Sequence, residues 1–304
     1  SDKGALEIMK LFFTPNEDLQ NKRINEVFDE QPDIADGTSD QTVRDGSVDF
    51  EDVCFSYTRD PEKLNLRHVT FHIRSGETVG VIGGTGEGKS TLVKAVTGVL
   101  PCTGEVRVNR QELRRMRPAA LAREVGVLSQ RTRSEYDFTV RQVVTLGRYA
   151  HRGSFLRRGD AEGEGKVDTA LRAVGLLDKQ QARLNELSGG ELQRVFMAQV
   201  FAQDPRILVL DEPANHLDVT YQKQLFDLID RWRQEPGRAV IAVVHDLNLA
   251  RMYGTHALLL SHGQTVAQGP IRQVLTREQL CIAYGMDVLP WTLEMLRQWE
   301  QAIS

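Results

Sequence analysis

One nine-residue string constrains this chain more than any other: Gly83-Gly84-Thr85-Gly86-Glu87-Gly88-Lys89-Ser90-Thr91. It fits the pattern G-x-x-x-x-G-K-[ST]. An apolar run over residues 79–82 precedes it, and Leu92, Val93 and Val96 follow with helical spacing. A strand that turns through glycines into a helix is built to cradle phosphate. The glycines let backbone N–H groups converge, and the helix N-terminus adds partial positive charge. This spacing directs Lys89 to the β- and γ-phosphates and the Ser90 hydroxyl to Mg²⁺. A plain glycine-rich turn is the alternative, and the flanking elements argue against it.

The other apolar runs suit the same scaffold. Residues 79–82, 125–128, 207–210 and 240–244 are nearly continuous, as strands covered on both faces should be. Nearer the start the pattern alternates. Val48 and Phe50 alternate with Asp49 and Glu51, and then Val53, Phe55 and Tyr57 resume in a shifted phase. Val69, Phe71 and Ile73 alternate with Thr70, His72 and Arg74. These predict a half-buried antiparallel sheet. Residues 138–203 offer no strong strand and read as a helical insert. Residues 1–30 carry helical spacing (Leu6, Met9, Leu11 and Phe12, then Ile24, Val27 and Phe28), and 31–46 read as a polar linker. The spacing predicts a C-terminal tail of two helices, over 277–284 and 292–302.

Two further strings carry chemistry. Residues 207–210 end in Asp211-Glu212-Pro213. An acidic pair just past a buried strand of an α/β sheet points into the ligand crevice. Asp211 would hold Mg²⁺, and Glu212 would polarise the water that attacks the γ-phosphate. Alone, the pair reads equally well as a solvated strand-end turn; the upstream phosphate loop favours the functional reading. Leu187-Ser188-Gly189-Gly190-Glu191 precedes a helical run over 192–202. Ser188 is a natural N-cap, and the glycines bare the backbone, which makes a second anion-grade helix start. Two such starts on one chain point to two copies pairing around shared nucleotides.

These strings, in this order, resemble the ATP-binding cassette of ABC transporters over about residues 47–275. The resemblance implies an α/β P-loop NTPase fold: a RecA-like core, an antiparallel β subdomain, and a helical subdomain inserted at about 131–203. Residues 1–46 then form an extension and linker, and 276–304 the tail. Gly83, Gly84, Thr85, Gly86, Glu87, Gly88, Lys89, Ser90 and Thr91 match the Walker A motif that binds ATP. Tyr57 matches the aromatic residue that stacks on adenine. Gln130 matches the Q-loop glutamine, a ligand of Mg²⁺ beside Ser90 and Asp211. Ser188, Gly189, Gly190 and Glu191 match the signature motif, the most family-specific of the set. Asp211 and Glu212 match Walker B, Asp218 the D-loop, and His245 the switch histidine. The implied catalytic set is Glu212, His245, Gln130 and Lys89. Taken singly, Tyr57 also reads as an edge aromatic, Gln130 as a loop glutamine and His245 as a structural histidine.

The two ends resemble different branches of that family. Residues 22–93, with "KRINEVFDEQPDI" and "GSVDFEDVCFSY", resemble exporter cassettes. From about residue 100, "FTVRQVVTLGRYAHRG", "DEPANHLDVTYQ" and "VVHDLNLARMY" resemble importer ATPases for iron–siderophore, haem and cobalamin. In this family the helical subdomain meets the membrane subunits, so the importer reading leads. It implies a head-to-tail homodimer of cassettes, separate permease subunits and, indirectly, a substrate-binding protein. The runner-up readings are an exporter's nucleotide-binding domain and a dimerisation module with weak hydrolysis. Two residues depart from the family pattern. Glu87 stands where a small residue is usual, and its charge is costly beside triphosphate unless it points to solvent. Ala214 replaces a threonine, a change expected to be mild.

Composition narrows the rest. With 38 Lys+Arg against 42 Asp+Glu, the net charge is −4, and no nucleic-acid partner is expected. No apolar run approaches the roughly 20 residues of a spanning helix. The first ten residues lack a basic start followed by an apolar stretch, so no signal peptide is expected. Cys54, Cys102 and Cys281 are unclustered, which suits a reducing compartment better than a disulfide or zinc framework. A transport ATPase of this kind is expected as a peripheral protein on the cytoplasmic face of the inner membrane.

Overall fold

The computed structural model describes residues 45–58, 60, 62–129, 138–151, 161–215 and 217–303. The helical spacing within 1–30 and the Gln130 position lie outside the described residues. Strands β1 (Val48–Phe55), β2 (Leu66–Ile73) and β3 (Thr78–Ile82) lead into helix α1 (Lys89–Val96). Next come β4 (Thr103–Val108), β5 (Gln111–Glu112), α2 (Pro118–Glu124) and β6 (Val125–Leu128). Three helices follow: α3 (Val140–Leu146), α4 (Ala161–Ala173) and α5 (Gly189–Gln203). Then β7 (Ile207–Asp211), α6 (Val219–Arg233), β8 (Ala239–Val243) and α7 (Leu247–Tyr253) alternate. The chain closes with β9 (His256–Ser261), β10 (Gln264–Pro270), α8 (Ile271–Val274), α9 (Arg277–Tyr284) and α10 (Leu289–Ile303).

The alternating strands form an antiparallel sheet in the order β2-β1-β4-β5. The phase shift in β1 is a bulge: its register with β2 and β4 slips around Asp52, whose φ is +54°. Residues 51 and 52 are both exposed, after which burial resumes at Val53. Tyr57 therefore lies in the turn beyond β1, not at the strand's end.

The continuous runs form the second sheet, ordered β10-β9-β3-β8-β7-β6, in which all but β10 are parallel. Their continuity has a simple cause. Val79, Val81, Ile207, Val209, Ile241 and Val243 pack with α1 and the antiparallel sheet. Ile82, Leu208, Leu210, Val240 and Ala242 pack on the opposite face, with α5, α6 and α7. Both faces are dry, so neither alternate set can be polar. Strands β4, β9 and β10 are not among the strands expected from the sequence. Strand β10 carries no fully buried residue, so it lacks the apolar signature on which such a reading depends.

Among the described residues of 138–203 the only strand-like pairing is a single bridge, Thr139 to Arg183. Helix α5 starts at Gly189, three residues before the predicted run, because Ser188 caps it there. Helix α9 has the predicted bounds, whereas α10 begins at Leu289 rather than 292; Pro290 fits the first turn, where its missing N–H costs nothing. Leu280 and Ala283 of α9 are buried in the main core.

Candidate active site

The parallel ladder brings three chemistry-bearing turns to one edge. Val81 pairs with Val243, and Asp211 pairs with Val243 from the other side. The glycine loop after Ile82, the acidic pair at 211–212, and His245 thus leave the sheet at the same end.

The glycine loop runs directly into α1. Gly88, at φ +91°, is its N-cap residue, and a Cβ there would lie 2.7 Å from the Asn65 carbonyl oxygen. No side chain hydrogen-bonds this cap, and no acidic residue sits in the first turn. The first N–H groups of α1 therefore keep their capacity for an anion. Lys89 is only 5% exposed, and its Nζ donates to the carbonyls of Gly83 (2.9 Å) and Gly84. Burial pulls this ammonium below the ordinary lysine range, while Glu212, Glu87 and Asp211 oppose the shift. Thr85 and Gly86 form the exposed tip of the loop.

Tyr57 stands beside α1. Its hydroxyl lies 3.4 Å from Thr91 Oγ1, its ring meets Phe55 edge-on, and Lys94 Nζ lies 6.0 Å from the ring centroid. The residue is 53% exposed, so it offers a free aromatic surface next to the glycine loop.

Glu87 does not point to solvent. Its Oε2 accepts the His262 N–H in the β9–β10 turn, with His262 Nδ1 3.7 Å away. The carboxylate lies folded along the loop at 16% exposure, its Cγ 3.5 Å from where a Cβ on Gly84 would sit. Ala214, the other departure, is half-buried against the core, and its carbonyl accepts from Gln222 Nε2 at 3.4 Å.

Across the edge, Ser90 Oγ donates to Asp211 Oδ1 at 3.2 Å. Burial raises the Asp211 carboxyl above the ordinary aspartate range, and Glu212 pushes the same way; the Ser90 hydrogen bond, Lys94 and Lys89 counter them. A cation would relieve that buried charge. The hard oxygens of Ser90 and Asp211 fit Mg²⁺, which takes few protein ligands when phosphates supply the rest. Among the described residues no larger His/Cys/Asp/Glu cluster competes for a metal.

Glu212 adopts φ +53°, a left-handed conformation rare for its type and typical of functional turns. The conformation aims its carboxylate across the edge. Oε1 lies 2.6 Å from His245 Nε2, and Oε2 accepts from Asn215 Nδ2. Asn215 was not singled out from the sequence. Its spacing of three from Glu212 was the available signal, since a turn brings i and i+3 together.

The signature residues are placed apart from this edge group. Ser188 caps α5 through a reciprocal box: its Oγ accepts the Glu191 N–H at 3.3 Å, and Glu191 Oε2 accepts the Ser188 N–H at 2.9 Å. Lys179 Nζ donates to Glu191 Oε1 at 2.5 Å. With Lys179 as the main cause and Ser188 next, the Glu191 carboxyl is held at about 2. Asp218 caps α6, its Oδ1 accepting the Tyr221 N–H at 3.0 Å. Gly189 has open space where a Cβ would go.

A glycine loop on an uncapped helix, an acidic pair and a histidine on one edge of a parallel sheet, with a helical insert, define a P-loop ATPase of the cassette type. A family model described as "ABC transporter" matches residues 66–215. The ferric enterobactin transport ATP-binding protein FepC of Escherichia coli is 34% identical over 220 residues, covering 72% of this chain and 81% of that protein. The hemin import ATP-binding protein HmuV of Roseobacter denitrificans is 39% identical over 247 residues, covering 79% and 90%. A match to YvrA of Bacillus subtilis, an uncharacterized ABC transporter ATP-binding protein, is 38% identical and spans 73% of this chain but about half (51%) of that protein. The fold matches that of cbiO1 from Clostridium perfringens with a TM-score of 0.68 at 24% identity, covering 77% and 92%. The chain belongs to the ABC transporter ATP-binding family, and it is an ATPase of that class.

Proposed function

We propose that this chain energises import of an iron–siderophore, haem or cobalamin through separate membrane subunits, from the cytoplasmic face of the inner membrane. It works as a head-to-tail pair of cassettes. ATP lies on the loop of one copy, against Gly83, Gly84, Thr85, Gly86, Glu87, Gly88, Lys89, Ser90 and Thr91, with adenine on Tyr57. The signature turn of the other copy, Ser188 to Glu191, closes over the γ-phosphate, with Asp218 at the seam. Importers of siderophore, haem and cobalamin among the relatives support the cargo class.

One observation carries the hydrolytic reading: Glu212 is held between His245 and Asn215 at the edge where Ser90 meets Asp211. A carboxylate so clamped can orient a water and take its proton. His245 keeps Glu212 aimed and, on this reading, would donate to the γ-phosphate. Lys89 shifts from the loop carbonyls to phosphate oxygens, exchanging neutral acceptors for charged ones. Ser90, Asp211 and Gln130 would hold Mg²⁺, which would supply charge neutralisation on the phosphates.

Glu212→Gln keeps the clamp but removes the base. ATP turnover should fall by about 10²–10⁴-fold, and ATP should hold the chain as a dimer, read by phosphate release and by size-exclusion chromatography. Undiminished turnover would sink the assignment. Co-purification with candidate permeases tests the partner.

A further inference from the structure

Gly190 is helical, without the positive φ that often explains a glycine. Its neighbour explains it. A Cβ on Gly190 would lie 3.3 Å from Tyr221 Cδ2 and 3.4 Å from Cε2, so the ring of Tyr221 lies flush against the backbone of the signature turn. On the same ring sits Arg194, one turn further along α5, with its guanidinium carbon 5.1 Å from the centroid. Arg194 Nη1 also reaches the Val174 carbonyl at 3.4 Å.

Tyr221 belongs to a different element, α6. It sits in the first turn of α6, and its N–H is the one that Asp218 caps. Gln222, its neighbour, donates to the Leu217 carbonyl at 3.0 Å. A second tie runs parallel to the ring contact, from Gln193 Nε2 to the Pro213 carbonyl at 3.2 Å. Pro213 directly follows Glu212. The turn that carries the acidic pair and the turn that carries Ser188 are therefore joined inside one chain, through a flat ring seated where a Cβ is missing.

We infer that Tyr221 is a positioning residue that couples the two half-sites of the cassette. It rests on the paired-cassette reading above. In that arrangement, residues 211–215 serve the ATP on this copy's own loop, and residues 188–191 serve the ATP of its partner. The Tyr221 contact sets the angle at which the signature turn is presented while the acidic pair is engaged. Its ring lies against Gly190 and Arg194 rather than the glycine loop, so its loss should spare nucleotide capture on that loop and damage closure between copies.

The test uses the full chain in the Glu212→Gln background, with Tyr221→Ala, Tyr221→Leu and Tyr221→Phe added. ATP-driven dimer is read by size exclusion, ADP affinity by fluorescent-nucleotide displacement, and folding by thermal melting. Tyr221→Ala should weaken ATP-driven dimerisation about tenfold, equivalent to roughly 1.4 kcal/mol, with ADP affinity within about twofold of the parent by the same conversion. Tyr221→Leu keeps apolar bulk without the flat ring and should fall between. Tyr221→Phe keeps the ring and should restore dimerisation. In the otherwise natural chain Tyr221→Ala and Tyr221→Leu should lower kcat while KM for ATP stays nearly constant, and Tyr221→Phe should keep both. Normal dimerisation in Tyr221→Ala, or an equal loss in Tyr221→Phe, would overturn the role of the ring. If Glu212→Gln alone gives no ATP-driven dimer, the paired-cassette reading falls, and the coupling falls with it.

Discussion

The two helix starts proposed to meet phosphate are built in opposite ways. Helix α1 opens without a side-chain cap or an acid in its first turn, and the one cation there, Lys89, is spent on loop carbonyls. Helix α5 opens with a closed capping box, a carboxylate in its first turn and an external lysine balancing that carboxylate. The first start is incomplete by itself and suits an anion held within its own chain. The second already meets two of its backbone needs internally, so it can stand exposed without unfolding. On the proposed pairing, this surface would have to be stable before a second copy meets it.

The strongest way to break this contrast is Lys89→Ala. It should lower ATP hydrolysis by about 10²–10³-fold, the usual scale for one lost electrostatic donor, and leave the helical content unchanged; circular dichroism and phosphate release check it. Asp211→Asn should also cripple Mg²⁺-dependent hydrolysis, yet raise the melting temperature of the nucleotide-free chain at neutral pH. The sign follows from the raised Asp211 carboxyl. A group whose folded pKa lies above its unfolded value favours the fold while protonated and loses that contribution as pH rises through the folded value. Asparagine stays neutral, so each kcal/mol relieved should appear as roughly 2–4 °C, with the gain shrinking in acid.

A smaller effect sharpens the second start. Glu191 is held at about 2, so its contribution is present above the ordinary glutamate range and fades as pH falls toward about 2. Glu191→Gln should remove that acid sensitivity, measured as a flattened loss of thermal stability below pH 4.5, and weaken ATP-driven dimerisation modestly. The smallest expected effect is at Glu87. Glu87→Gln keeps an acceptor for the His262 N–H but drops the charge beside Lys89. ATP should bind roughly two- to fivefold more tightly, on the scale of a partly solvated charge, as read by isothermal titration.

Much of this was legible in one dimension because the signals are local. The strand–glycine–helix passage at 79–96, the acidic pair ending β7 and the capped start of α5 each lie within one short contiguous segment of chain. Even the bulge in β1 was written as a phase shift at Glu51 and Asp52. What escaped was non-local or conformational. The Glu87 carboxylate is satisfied by His262, 175 residues away. The Asn215 clamp depends on the left-handed turn at Glu212. Strand β10 takes its place by pairing with β9 rather than by burying a face, so hydropathy passes over it.

The shared level of Val81, Asp211 and Val243 carries a last consequence. The sheet acts as a ruler: three turns made by distant parts of the chain are levelled against one another by ladder hydrogen bonds. A single residue deleted from β7 would withdraw Asp211 by about 3.3 Å and exchange which side chains face each core. Length in these strands is thus fixed to one residue, a tighter tolerance than the identity of most residues within them.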